Sequence, residues 1–221
     1  MTPSLNEIEM MVWKAARGAG LAWGLAEEMA QAARWLGDHG VDWAEPIVEV
    51  LVDVERRGGR LVPPVLAEDG ACEPAPGQRS ASPVLCGPLL TDIVADIGSS
   101  RPLVFRRVAY PLLMLPFAAG AAAQHAWSLT LRIDAATFYF AEDRAEGTAF
   151  SPGTPMAERI VLSMDDDRPA EAVTLLEAGA PRRSLPAKPL AQLEAWVHRT
   201  YVPASAESRL AGAGAGLTDN D

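Results

Sequence analysis

Cysteine is almost missing from this chain: Cys72 and Cys86 are the only two in 221 residues. A disulfide scaffold is thereby excluded, because such scaffolds need several bridges in a shorter, secreted chain. The gap between the two fits no CxxC metal or redox spacing, so both read as ordinary thiols of a cytoplasmic protein. Histidine is scarce as well. His39, His125 and His198 form no HxH or HExxH pattern, and no metal site is expected. Basic charge is short: 19 Lys and Arg stand against 29 Asp and Glu, a net charge of −10. A nucleic-acid partner needs a basic face, which this balance denies. It leaves room for a local basic pocket that takes a small anion.

Two further absences concern membranes. The start, Met1-Thr-Pro-Ser-Leu-Asn-Glu7, has neither the basic region nor the apolar run of a signal peptide. The most apolar window, Tyr110 to Trp127, is broken by Pro111, Pro116, Gly120 and His125. It falls short of the ~20 apolar residues a spanning helix needs. The expectation is a soluble protein with no membrane partner. GxSxG and P-loop patterns are missing too. Asp165-Asp166-Asp167 reads as a charged turn, since three consecutive carboxylates cannot converge on one cation.

What is present is apolar content, 49% of residues, enough for a packed core. Ser4-Leu-Asn-Glu7 is a capping box opening a helix over residues 5–17, with Ile8, Met11, Val12 and Ala15 at helical spacing. Gly18 and Gly20 end it. A second helix spans 21–37 on the stripe Leu21, Leu25, Met29, Ala32 and Leu36. Asp42 to Glu45 repeats the capping-box pattern ahead of a third helix through Ile47, Val50, Leu51 and Val54, which stops before Gly58-Gly59. Residues 1–62 thus read as a three-helix unit. Trp13, Trp23, Trp35 and Trp43 fall in it and predict a packed core or interface.

Residues 63–83 are rich in Pro, Gly, Ala and Ser and read as a loop or linker, the best candidate boundary. Residues 84–204 mix signals. One strand plus a helical turn is assigned to 84–97, a strand to 103–108, and a late-starting buried helix to 110–124. The clean alternation of 127–133 is a strand, turning at Asp134-Ala135 into 137–140. Further strands fall at 159–164 and 172–178, and a last helix covers 189–201. Residues 205–221 form a glycine-rich tail. The fold class is α+β: an N-terminal three-helix unit packed on a mixed or antiparallel sheet with one or two covering helices.

The stretch Lys14 to Glu28 gathers the candidate binding residues. Gly18-x-Gly20-x-x-x-Gly24 follows a helix rather than a strand, so it is not a dinucleotide fingerprint, and no cofactor is expected. An anion site fits better, with Arg17, Gly18, Gly20, Trp23 and the first amides of the second helix around it. Gly24 lies within that helix, where glycine costs on the order of 1 kcal/mol, and so predicts close approach by a neighbour or a ligand. Glu27 and His125 are the candidate acid–base groups. The tail supplies Arg209, Gly212 and Gly214 as a lid.

Ser4-Leu-Asn-Glu-Ile-Glu9, Lys14 to Gly20, Trp23 to Glu28 and the tail Ser208 to Asp221 resemble an uncharacterised bacterial family, mostly proteobacterial, that is a domain of unknown function. The resemblance runs over essentially the whole chain. It implies a bacterial cytoplasmic protein and brings no activity, cofactor or catalytic residue.

Two functions from different classes follow. The first is an enzyme or enzyme subunit that binds a small carboxylate metabolite at these glycine- and arginine-rich segments. The alternative is a non-catalytic assembly or accessory protein that docks the Trp-rich helices and the tail on a partner, with room for a homo-oligomer. Exposed apolar side chains on the first 45 residues without a polar pocket favour assembly. A concave pocket with converging Arg and Glu or His favours the enzyme.

Overall fold

A computed structural model of the chain describes residues 2–96, 102–141, 144–148, 150–151, 153–164, 173–174 and 185–201. Helix α1 spans Leu5–Gly18, and its capping box is formed: the Ser4 amide donates to Glu7 at 2.7 Å and the Glu7 amide to the Ser4 hydroxyl at 3.3 Å. These bonds hold the Glu7 carboxyl below its ordinary pKa. Helix α2 is Trp23–Asp38, two residues later than the periodicity suggests. Helix α3 is Ala44–Arg56. The second capping box does not form. Trp43, not Asp42, is the residue ahead of α3, and it is 1% exposed, so core burial rather than a side-chain cap fixes the helix start.

The Pro- and Gly-rich stretch does more than link. It adds two short strands, β1 (Val65–Leu66) and β2 (Cys72–Glu73), to the sheet edge. Residues 84–97, read as a strand plus a helical turn, contain instead helix α4 (Pro83–Ile93) with a short 3-10 turn at Val94–Asp96. Most of its side chains are apolar, Asp92 near its end being exposed, because it packs against the sheet and α2, and this hides its periodicity. Strand β3 (Leu103–Ala109) leads through a 3-10 turn at Pro111–Met114 into α5 (Leu115–His125). A meander follows: β4 (Leu129–Ile133), β5 (Ala136–Ala141) and β6 (Arg144–Gly147). Then come β7 (Met156–Ser163), β8 (Val173–Thr174) and α6 (Ala187–His198).

The class is α+β. The eight strands among the described residues form one sheet in the order β1-β2-β3-β7-β4-β5-β6-β8. All neighbours are antiparallel except β2 and β3. Strand β7 enters between β3 and β4, which therefore run parallel on either side of it. The β4–β5 turn is pinned by Asp134. Its backbone takes φ 49°, and its carboxylate accepts the amides of Arg159 at 2.9 Å and Glu158 at 3.3 Å on β7.

Leu129, Leu131 and Ile133 face Phe140, Phe138 and Ala136 across the hairpin, with Leu162 and Ile160 beside them. This apolar face carries α4 and α5, α2 packs on both, and α1 packs on α2 and α6. A single buried cluster runs from Ile8 on α1 to Trp196 on α6. Among the described residues no helix is long and apolar enough to cross a membrane.

Candidate functional site

Of the residues singled out from the sequence, Arg17, Gly18, Gly20, Trp23 and Gly24 lie at the α1–α2 junction. Gly18 ends α1 under the C-terminal turn of α6: a Cβ on it would land on the Trp196 carbonyl. Gly20 takes φ 104°, and its carbonyl abuts Gly59, so the α1–α2 turn and the end of α3 touch backbone to backbone. The Arg17 guanidinium donates to the Leu21 carbonyl and lies 5.9 Å over the Trp23 ring. Trp23 itself stacks edge-on against Trp13 at 4.9 Å and is 59% exposed.

Gly24 sits in the first turn of α2 rather than its interior, and among the described residues outside its own helix backbone and chain neighbours no atom comes within 4 Å of where a Cβ would stand, so no packed neighbour accounts for it there. Glu27 is exposed one turn further on. His125 ends α5 and stacks on Trp127 at 4.4 Å. Neither lines a cavity with Arg17. Arg209, Gly212 and Gly214, like Asp165 to Asp167, lie outside the described residues.

A concave space lined by several charged and hydroxyl side chains lies elsewhere. A cleft of about 470 Å³ lies between α3, the segment 78–83 ahead of α4, and the join of β3 to the Pro111 turn. Helix α3 contributes Glu49, Asp53, Arg56 and Arg57 to it. The 78–83 segment contributes Gln78, Arg79, Ser80 and Ser82, and the β3 end contributes Tyr110. The spacing of α3 explains its part. Ile47, Val50, Leu51 and Val54 face the core, which turns Glu49, Asp53 and Arg56 to the cleft.

The 78–83 segment is held by the sheet. The Ala81 amide donates to the Arg107 carbonyl at 2.8 Å, and the Ala109 amide donates to the Ala81 carbonyl at 3.0 Å. Arg57 is fixed from both sides, donating to Asp53 at 2.7 Å and to the Gln78 side chain. No ion pair among the described residues ties down Arg56 or Arg79.

Two non-glycine residues beside the cleft hold positive φ: Arg107 at 47° and Tyr110 at 43°. Such conformations cost on the order of 1–3 kcal/mol and cluster where function constrains the backbone. Tyr110 precedes Pro111, which already disfavours helical backbone there. Its amide donates to the Pro155 carbonyl at 2.9 Å, locking the phenol over the cleft. Burial first, then the charges of Glu49 and Asp53 and a hydrogen bond to Glu49, push the phenol pKa up, and Arg56 offsets part of this. The phenol therefore stays protonated, a donor, at neutral pH.

No group of three or more His, Cys, Asp or Glu among the described residues is placed to hold a metal ion. Cys72 and Cys86 are buried free thiols, and burial pushes Cys86 up to about 12. Neither is a nucleophile at neutral pH.

The cleft residues carry little sequence signal. Arg56 and Arg57 stand out only as a basic pair closing an acidic helix face, and Tyr110 only as a large residue before proline.

The profile of a family described as a protein of unknown function (DUF3726) matches residues 3–55, which span α1 to the last turn of α3. The resemblance seen in the sequence is thus supported for that stretch. The match includes Glu49 and Asp53 of the cleft wall. No curated protein and no solved structure matches the chain.

Proposed function

We propose that the protein binds a small carboxylate metabolite in the cleft walled by α3, the 78–83 segment and Tyr110. One observation carries the reading. Arg56 and Arg79, which no ion pair among the described residues ties down, line one cleft of about 470 Å³ together with Arg57, itself paired to Asp53, in a chain with a net charge of −10. Local basic excess against an acidic background focuses small anions. A guanidinium matches a carboxylate through paired N–H donors, and the Ser80 and Ser82 hydroxyls add further donors at the rim. Glu49 on the α3 wall and the protonated Tyr110 phenol on the β3 side are hydrogen-bonded to each other. They are the groups with which an enzyme would move a proton on the bound metabolite away from its carboxylate. Arg17 lies outside this cleft, and one of its guanidinium nitrogens donates to the Leu21 carbonyl within the α1–α2 junction.

Thermal unfolding with a panel of small mono- and dicarboxylates tests the reading on the full chain. Several members raise the midpoint of the wild type, and the double variant Arg56→Ala with Arg79→Ala loses the rise. A wild type indifferent to the whole panel would overturn it.

The second reading is assembly. Met10 and Trp23 are 51% and 59% exposed on α1 and α2, an apolar surface of the kind partners cover. Sedimentation across a concentration range decides it. A self-associating wild type made monomeric by Trp23→Ala supports assembly, and a monomer throughout removes the self-docking form.

A further inference from the structure

A second cavity of about 330 Å³ adjoins the arginine cleft. Glu49, Val52 and Tyr110 line both, so the two chambers meet at these three residues. Beyond them the second chamber is lined by Glu45 and Glu49 from α3 and by Lys188 and Gln192 from α6.

The charged groups differ in sign from one chamber to the other. The first presents Arg56, Arg57 and Arg79 against Glu49 and Asp53. The second presents Glu45 and Glu49 against Lys188. Helix α3 carries Glu45 and Glu49 in its first half and Arg56 at its end, with Arg57 just beyond it paired to Asp53. At 1.5 Å per residue, Glu49 stands about 10 Å from Arg56 along the axis. Between the two ends Val52 and the Tyr110 ring line the path, with Val48 and Pro46 on the second side, and Asp53, paired with Arg57, interrupts it on the arginine side.

We propose that the ligand is an extended zwitterion, an ω-amino carboxylate. Its carboxylate lies against Arg56 and Arg79, its ammonium against Glu45 and Glu49, and its methylene spacer across Val52 and Tyr110. This rests on the carboxylate-binding reading above and names the substrate class of that site. A dicarboxylate would set its second anion against Glu45 and Glu49, and a diamine would set one cation among the arginines. A short α-amino acid, with both charges on one carbon, cannot reach both ends.

Calorimetric titration of the full chain with a chain-length series tests it. The probes are 4-aminobutyrate, 6-aminohexanoate and 8-aminooctanoate, each beside the unsubstituted acid of the same length. At the length that fits, the amino acid binds about tenfold more tightly than its partner, as expected for one charge-assisted contact. Glu45→Gln, at an exposed position, brings the two affinities together and leaves the plain acid unchanged. Lys188→Gln acts in the opposite direction and strengthens only the amino acid. Plain acids that bind as well as their amino partners at every length overturn the zwitterion and leave the carboxylate site standing. No binding by any probe overturns both.

Discussion

The α1–α2 junction and the arginine cleft are two glycine- or arginine-marked regions with opposite relations to their sequence. The junction is conspicuous in the chain, with Gly18, Gly20 and Gly24 flanked by Arg17 and two acids. In space it is a packing joint. Gly18 lets the Trp196 carbonyl sit on α1, and Gly20 meets Gly59 backbone to backbone. Arg17 serves the joint internally. The cleft is inconspicuous in the chain, because its residues come from positions 49 to 156. Yet it has the open concavity, the unengaged guanidinium groups and the positive-φ Tyr110 that the junction lacks. Glycines close together in sequence report how helices approach one another. A ligand site is assembled from side chains whose sequence separation carries no pattern.

Four measurements can break or sharpen this contrast. The largest effect belongs to Gly18→Ala. Its methyl would collide with backbone rather than with a flexible side chain, so denaturant unfolding should show a loss of about 3 kcal/mol or more. A near-neutral Gly18→Ala would mean that the glycine is there for something other than α6.

Next comes the split between arginines. Arg56→Ala with Arg79→Ala should weaken carboxylate binding by about tenfold to a hundredfold, while Arg17→Ala leaves it within about twofold. Calorimetry showing the reverse order would return the site to the junction.

A smaller and opposite effect is expected at Gly24. With open space around it and helical backbone, Gly24→Ala should stabilise by about 0.5–1 kcal/mol. Destabilisation there would reveal a contact made by residues outside those described.

The gentlest lever is pH, acting at His39, remote from both regions. Burial lowers its pKa from 6.5, against the opposing pull of the Trp35 carbonyl 2.8 Å away and of Asp38. In the unfolded chain the ring takes its proton near 6.5, while the folded ring resists until a lower pH. Between the two values the unfolded state binds more protons, so stability falls as pH drops below 6.5. Urea midpoints of the wild type should decline on acidification more than those of His39→Gln. Parallel declines would discard His39 as the source.

Legibility followed the locality of each cause. The start of α1 was readable because Ser4 and Glu7 satisfy each other three residues apart. The β4–β5 hairpin was readable because its alternation is a property of one strand with one buried face. Helix α4 was misread. Packed against the sheet, α2 and α5, it is apolar as far as Thr91 and Asp92, too few polar positions to reveal a period, and Pro88 within it argues locally against a helix. Strand β6, four residues with Arg144 and Glu146 among them, had no signal of its own and exists through its ladder to β5. The cleft was unreadable for the same reason, since no residue in it predicts its neighbours across the chain.

By itself the sequence determined the absence of disulfide stapling, the acidic surface, the α+β class and the three opening helices. Each of these follows from composition or from hydrogen bonding and burial within about one turn or one strand. Only tertiary structure decided that β7 enters between β3 and β4, that the junction glycines serve the packing of α6 and α3, and that Arg56, Arg57, Arg79 and Tyr110 face one space. Those outcomes depend on which buried faces find each other, and that free energy belongs to pairs of segments rather than to either alone.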